Sequence, residues 1–173
     1  MQPYNYKMAN KGMNLEQLIN YSNQQYKKLG LSNIQKISTP WTVIRKGKEI
    51  ISAFPNGQST LDFRGTAKGG MSISFDCKES QDERGLPLAY IKEHQVEFID
   101  NALKLSETSF IICEVKPLQK VFFIPGRVVI EYYNTWKENK GKKGFNLIPT
   151  SMMVEIPKSK RAIACDYLAL LGI

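Results

Sequence analysis

Apolar residues at Leu15, Leu18, Ile19, Tyr26 and Leu29 recur at helical spacing, which predicts a helix over residues 14–29 stopped by Gly30. The pattern then shortens to strand-like runs around Ile34–Ile37 and Trp41–Arg45, with a turn at Lys46-Gly47-Lys48 and a further run at Glu49–Phe54 ending in Pro55-Asn56-Gly57. Leu61–Thr66 and Met71–Lys78 flank Lys68-Gly69-Gly70 as a β-hairpin. Pro87 is expected to open a helix with Ile91, Gln95, Phe98, Ile99 and Ala102 on one side. Strands at Ser109–Val115 and Lys120–Ile124 precede a helix near Val128–Lys137, and the tail reads as basic and irregular until an apolar stretch at Tyr167–Leu171. The first ten residues, rich in Asn, Tyr and Gln, are expected to form a loosely held arm. With no repeats and no low-complexity linker, the order predicts one α/β domain over residues 1–173, a central mixed β-sheet flanked by helices.

Composition adds a partner. The 173 residues carry a net charge of +8, which favours a polyanion such as nucleic acid, although a generically basic protein has the same balance. No run approaches the roughly 20 apolar residues of a membrane span. The start, Met1-Gln2-Pro3-Tyr4, lacks an apolar signal core, so export and membrane association are not expected. Cys77, Cys113 and Cys165 share no CxxC spacing and read as reduced thiols of a cytoplasmic protein rather than a zinc site.

The chemistry concentrates in the hairpin. Along Met71–Lys78 the alternation puts Ile73, Phe75 and Cys77 on one face, expected to be core. Ser72, Ser74, Asp76 and Lys78 take the other, expected to be an open surface. A hairpin symmetric about Gly69 sets Asp62 opposite Asp76, with β-carbons roughly 5 Å apart. Two carboxylates so close repel, and a hard divalent cation between them reverses the sign. Lys78 could then orient the attacking water or neutralise charge on a scissile phosphate. A solvent-facing hairpin in which Asp76 merely pairs with Lys78 gives the same pattern, so these residues alone do not decide.

The arrangement Asp62…Asp76-x-Lys78 resembles the PD-(D/E)xK nuclease motif, and its surroundings are similar to RecU Holliday-junction resolvases, a family with phage-encoded members. That family's "NRGMxLE" helix opening resembles Asn10-Lys11-Gly12-Met13-Asn14-Leu15-Glu16, and its following Asn- and Tyr-rich run is similar to Ile19 through Tyr26. Its "KxxTP" resembles Lys36-Ile37-Ser38-Thr39-Pro40. Its "STTDYxG" resembles Ser59 through Gly65, and its "IDFEAKET" resembles Ile73 through Ser80. A helix start ending in His-Gln is similar to Leu86 through His94-Gln95, and Asp166-Tyr167 falls where the family has such a pair.

The resemblance implies a restriction-endonuclease-like nuclease core with a short β-hairpin stalk at about 41–61. It implies a Mg²⁺-dependent homodimer, with Mn²⁺ as substitute, that binds four-way branched DNA and nicks two strands symmetrically to leave 5′-phosphates. Recombinase or branch-migration proteins are the expected further partners. By position, Asp62 and Asp76 become metal ligands, Lys78 the catalytic lysine, and Glu16 a further acid from the first helix, where it also suits the helix dipole. Lys11, Lys36, Arg45, Lys46, Lys48 and Gln95 fall where DNA contact is expected.

The chain also departs from that pattern. Asp76 stands in place of Glu, Ser74 in place of another Asp, and Lys11 in place of Arg, which loses a bidentate fork. The stalk segment is several residues shorter. Two other readings therefore stand beside the resolvase: a nuclease of the same superfamily acting on other branched or linear DNA, and a non-catalytic junction-binding protein.

Overall fold

The computed structural model describes residues 13–38, 41–55, 60–140 and 142–173. The expected N-terminal arm, Lys11, Thr39-Pro40 and the 56–57 turn lie outside the described residues. Helix α1 (Leu15–Lys28) begins at Asn14, whose side chain accepts from Gln17 N–H at 2.8 Å while Gln17 Oε1 accepts from Asn14 N–H at 3.1 Å. This reciprocal cap satisfies two of the donors that a helix start leaves over. Glu16 in the first turn and Lys27 and Lys28 in the last complement the helix dipole.

Six strands form the central sheet: β1 (Ser32–Lys36), β4 (Phe63–Ala67), β5 (Met71–Ser80), β7 (Thr108–Val115), β8 (Lys120–Pro125) and β10 (Val154–Glu155). Their order is β1-β4-β5-β7-β8-β10, antiparallel throughout except for the parallel pair β5–β7, so the sheet is mixed. A parallel neighbour needs a crossover, and helix α2 (Glu93–Lys104) supplies it. Helix α3 (Gly126–Glu138) follows β8 directly.

Both faces of the sheet are covered, which is why β7 is buried at Ser109, Phe110, Ile111, Ile112 and Cys113 without alternation. On one face Phe63, Phe75 and Phe110 stack side by side across three strands, at centroid distances of 4.9 and 4.8 Å, beneath α1 and Tyr167. On the other, Ile111, Cys113 and Ile124 pack with Ile99 of α2 and Val129 of α3.

Among the described residues, strands β2 (Trp41–Lys46) and β3 (Glu49–Pro55) pair only with each other, around Gly47 at φ +61°. Trp41, Ile50, Ile51 and Phe54 are exposed on this hairpin.

Two expectations need correction. The helix after Pro87 begins at Glu93: Gly85–Pro87 forms a short strand, β6, pairing with β9 (Leu147–Pro149), and Leu88–Tyr90 makes one 3₁₀ turn before the chain enters α2. Leu86 and Leu88 are fully buried and take their places in the second core from this extended geometry. The tail is also less irregular than its composition suggests, because β9 and β10 lie in it. Strands of three and two residues are too short to show alternation.

Candidate active site

The hairpin register follows symmetry about Gly69: Phe63 pairs with Phe75 and so on to Ala67 with Met71, the turn being made by Gly69 and Gly70, both at φ +80°. Asp62, one residue before β4, therefore comes opposite Asp76. Its own position is fixed twice over. Its carbonyl accepts from Ile37 N–H at 2.7 Å, and its Oδ2 accepts from Cys77 N–H at 3.3 Å.

The face of β5 carrying Asp76 is not the open surface that alternation suggests. Ser74 is fully buried and Asp76 only 1% exposed, because β5 is an interior strand with helices packed behind the sheet. Lys78 Nζ lies 2.5 Å from Asp76 Oδ2, and its side chain keeps 16% exposure. That contact is charge against charge: neither carboxylate oxygen of Asp76 has an aligned hydrogen-bond donor. Burial raises the Asp76 carboxyl, the Lys78 ammonium lowers it, and the Asp62 charge raises it again, so the group ends at about 7.

The folded protein thus holds this proton more tightly than the unfolded chain does. The stability it contributes is complete below the ordinary carboxylate value of 3.8 and is lost as pH rises through 7. Denaturant melts of metal-free protein across that window should show wild type losing stability relative to Asp76→Asn as pH increases. Parallel curves would mean that Asp76 is already charged throughout.

Glu16 and Lys36 meet as an ion pair at the border of the same region, each about two-fifths exposed. The Glu16 carboxylate chiefly, with Asp62 adding to it, holds the Lys36 ammonium above its ordinary value despite some desolvation. The structure thus groups Glu16, Lys36, Asp62, Asp76 and Lys78.

Of the other expected DNA contacts, Lys11 lies outside the described residues, and Arg45, Lys46, Lys48 and Gln95 do not join this group. Arg45, Lys46 and Lys48 are exposed near the end of the β2–β3 hairpin. Gln95 is 7% exposed, and its Oε1 accepts from Lys92 N–H at 3.1 Å at the start of α2. Sequence reading also missed a neighbour of the acids. Glu79 accepts from Leu15 N–H at 3.0 Å and pairs with Lys116, which in turn pairs with Glu114. The partners lie 64 residues apart in the first of these contacts, and no local pattern announces it.

The donor set suits a hard divalent cation. Two carboxylates face each other, and both oxygens of Asp76 are buried without an aligned donor. Among the described residues no cluster of three or more His, Cys, Asp and Glu side chains forms a closed cage. Mg²⁺ commonly takes one or two carboxylates and keeps its other positions for water and substrate phosphate, so two acids suffice.

Among known proteins, a model of the RecU family, described as "Recombination protein U", matches residues 10–172. The Holliday junction resolvase RecU of Streptococcus sanguinis (strain SK36) is 31% identical over 145 residues, covering 80% of this chain and 70% of that protein. The protein of the same name from Streptococcus pneumoniae (strain Hungary19A-6) is 29% identical over 152 residues, covering 84% and 74%. Among solved structures, Hjc of Archaeoglobus fulgidus, a Holliday junction resolvase from an archaeal hyperthermophile, superposes with a TM-score of 0.43 at 14% identity, covering 80% of this chain and 95% of that one.

Proposed function

This chain belongs to the RecU family, and from that premise we propose that it resolves Holliday junctions through a metal-dependent site built on Asp62, Asp76 and Lys78. The observation that carries the reading is the facing pair of acids, one of them buried with no aligned donor, on a strand that also presents a lysine.

Asp62 and Asp76 would hold the cation, Mg²⁺ first and Mn²⁺ as substitute. When bound, such an ion supplies Lewis acidity and makes a water nucleophilic near neutral pH. Lys78, which faces Asp76 at 2.5 Å, would donate to a phosphate oxygen or hold the attacking water in line once Asp76 held a cation. Glu16 contributes a further acid from α1 at the border of the site, and Lys36, its counter-ion, would face the scissile phosphate. The basic tip of the β2–β3 hairpin and Lys11 track further phosphates, so affinity should fall steeply with salt and read little sequence. Symmetric nicking requires two such sites, hence a homodimer. No helix among the described residues is long and apolar enough to cross a membrane, and we place the protein in the cytoplasm, where its DNA substrate lies.

The test compares a labelled four-way junction with flaps and linear duplex, in Mg²⁺, Mn²⁺ or EDTA, for wild type and Asp62→Ala. Paired symmetric nicks confined to the junction, absent with EDTA and in the variant, are expected. Cleavage of all substrates alike would assign a nuclease of broader taste. Tight binding with no cleavage in either metal would sink the catalytic claim.

A further inference from the structure

The capping of α1 is incomplete in a way that points outside the helix. Asn14 and Gln17 satisfy each other's N–H groups, but the N–H of Leu15 has no partner within the helix. Its acceptor comes from the sheet: Glu79 Oε1, at 3.0 Å. Glu79 follows Lys78 directly on β5, and Leu15 precedes Glu16 directly on α1. One side chain therefore ties together the two segments that carry the lysine and the helical acid of the site.

The tie is itself held. Lys116 Nζ lies 3.1 Å from the same Glu79 oxygen and 2.7 Å from Glu114 Oε2, and Glu79 and Glu114 are paired neighbours on β5 and β7. Lys116 thus neutralises two adjacent carboxylates of like charge and fixes the direction of one of them. Partial burial raises the Glu79 carboxyl, yet the Leu15 N–H and Lys116 outweigh it and leave the group below its ordinary value. The side chain accordingly stays a charged acceptor facing the positive end of the helix dipole.

From this geometry we infer that Glu79 is a positioning residue for junction cleavage: held by Lys116, it docks the first turn of α1 on β5 and so sets where Glu16 stands relative to Asp62 and Lys78. The inference rests on the reading that Glu16 acts in the site. It requires that loss of Glu79 act through Glu16 and not through general loosening of the fold.

Single-turnover nicking at saturating four-way junction, junction affinity, and amide hydrogen exchange of metal-free protein together test it. Glu79→Ala should slow nicking about 10- to 30-fold, within the roughly 10- to 100-fold lost when a group supporting a catalytic residue is removed. Junction Kd should stay within about twofold, and exchange at the amides of residues 15–18 should speed up at least about tenfold. Glu79→Gln, which keeps an acceptor for Leu15 N–H, should retain nicking within about threefold. In a Glu16→Gln background, adding Glu79→Ala should cost less than about twofold more, because residues acting through one another are not additive.

An equal penalty from Glu79→Ala with and without Glu16, while Glu16→Gln alone is impaired, would overturn this inference and leave the Glu16 role standing. A fully active Glu16→Gln would remove the Glu16 role, and this inference with it. Unchanged exchange at residues 15–18 in Glu79→Ala would show that the tie does not position the helix.

Discussion

Asp76→Asn should reduce single-turnover nicking of a four-way junction by about a thousandfold, roughly 4 kcal/mol of transition-state stabilisation. The same change should leave the fold intact and stiffen it at alkaline pH. Both effects have one cause. The Asp76 carboxyl is buried, faces Asp62, and has neither oxygen in an aligned hydrogen bond, so it is an ill-placed charge unless a cation or the Lys78 ammonium answers it. Asparagine keeps the shape and removes the charge, which under the proposed reading would abolish the preference for a hard cation and leave Lys78 without its role toward the phosphate. Metal-free variant protein should melt at or above the wild-type temperature at pH 8, and its junction affinity in EDTA should be unchanged. Nicking within tenfold of wild type would remove Asp76 from the site, and a large drop in melting temperature would mean that its charge is structural.

The second large effect is on stability and lies behind the site. Tyr26 of α1 is fully buried, edge-on to Tyr167 at 5.3 Å. Its hydroxyl accepts from Leu168 N–H at 3.0 Å and donates toward Asp166 Oδ1 at 3.0 Å or Cys165 O at 3.2 Å. Asp166, only 2% exposed, is neutralised by Arg161 at 2.7 Å and accepts from the Ser159 hydroxyl at 2.7 Å. Ser22 accepts from Cys165 N–H, and Gln25 brackets Ala162 and Ala164, so the chain's last segment is bound along α1 by side chains of that helix. Tyr26→Ala empties the hub of this arrangement and should cost about 4 kcal/mol. For a chain of this length that is a fall of about 10 to 15 °C in melting temperature. Tyr26→Phe keeps the ring and strands the Leu168 N–H, for about 1–3 kcal/mol. Calorimetry of the two variants separates packing from hydrogen bonding, and equal losses would assign the whole effect to the hydroxyl.

What the sequence made legible follows from range. The helix over 14–29 carries a full apolar stripe with its own cap and stop, and the hairpin carries a glycine turn that sets register, so both could be placed from local chemistry, Asp62 opposite Asp76 included. The start of α2 could not. Pro87 is a fair opening for a helix, but Gly85–Pro87 is claimed by a strand more than fifty residues onward, and only that pairing explains why the helix waits until Glu93. Burial of Asp76 was hidden for a similar reason: alternation tells which residues share a face, not whether helices from elsewhere cover it. Gln95 shows a local duty that its sequence context did not announce, an acceptor for a backbone amide three residues back.

Among the described residues the β2–β3 hairpin shares no ladder with the six-stranded sheet, and its two strands answer only to each other. Residues can therefore be added to or taken from it in matched pairs without shifting the register that holds the two acids opposite one another. A change of length there leaves the pairing of β4 with β5 untouched, so the reach of the ribbon and the spacing of Asp62 and Asp76 are structurally independent.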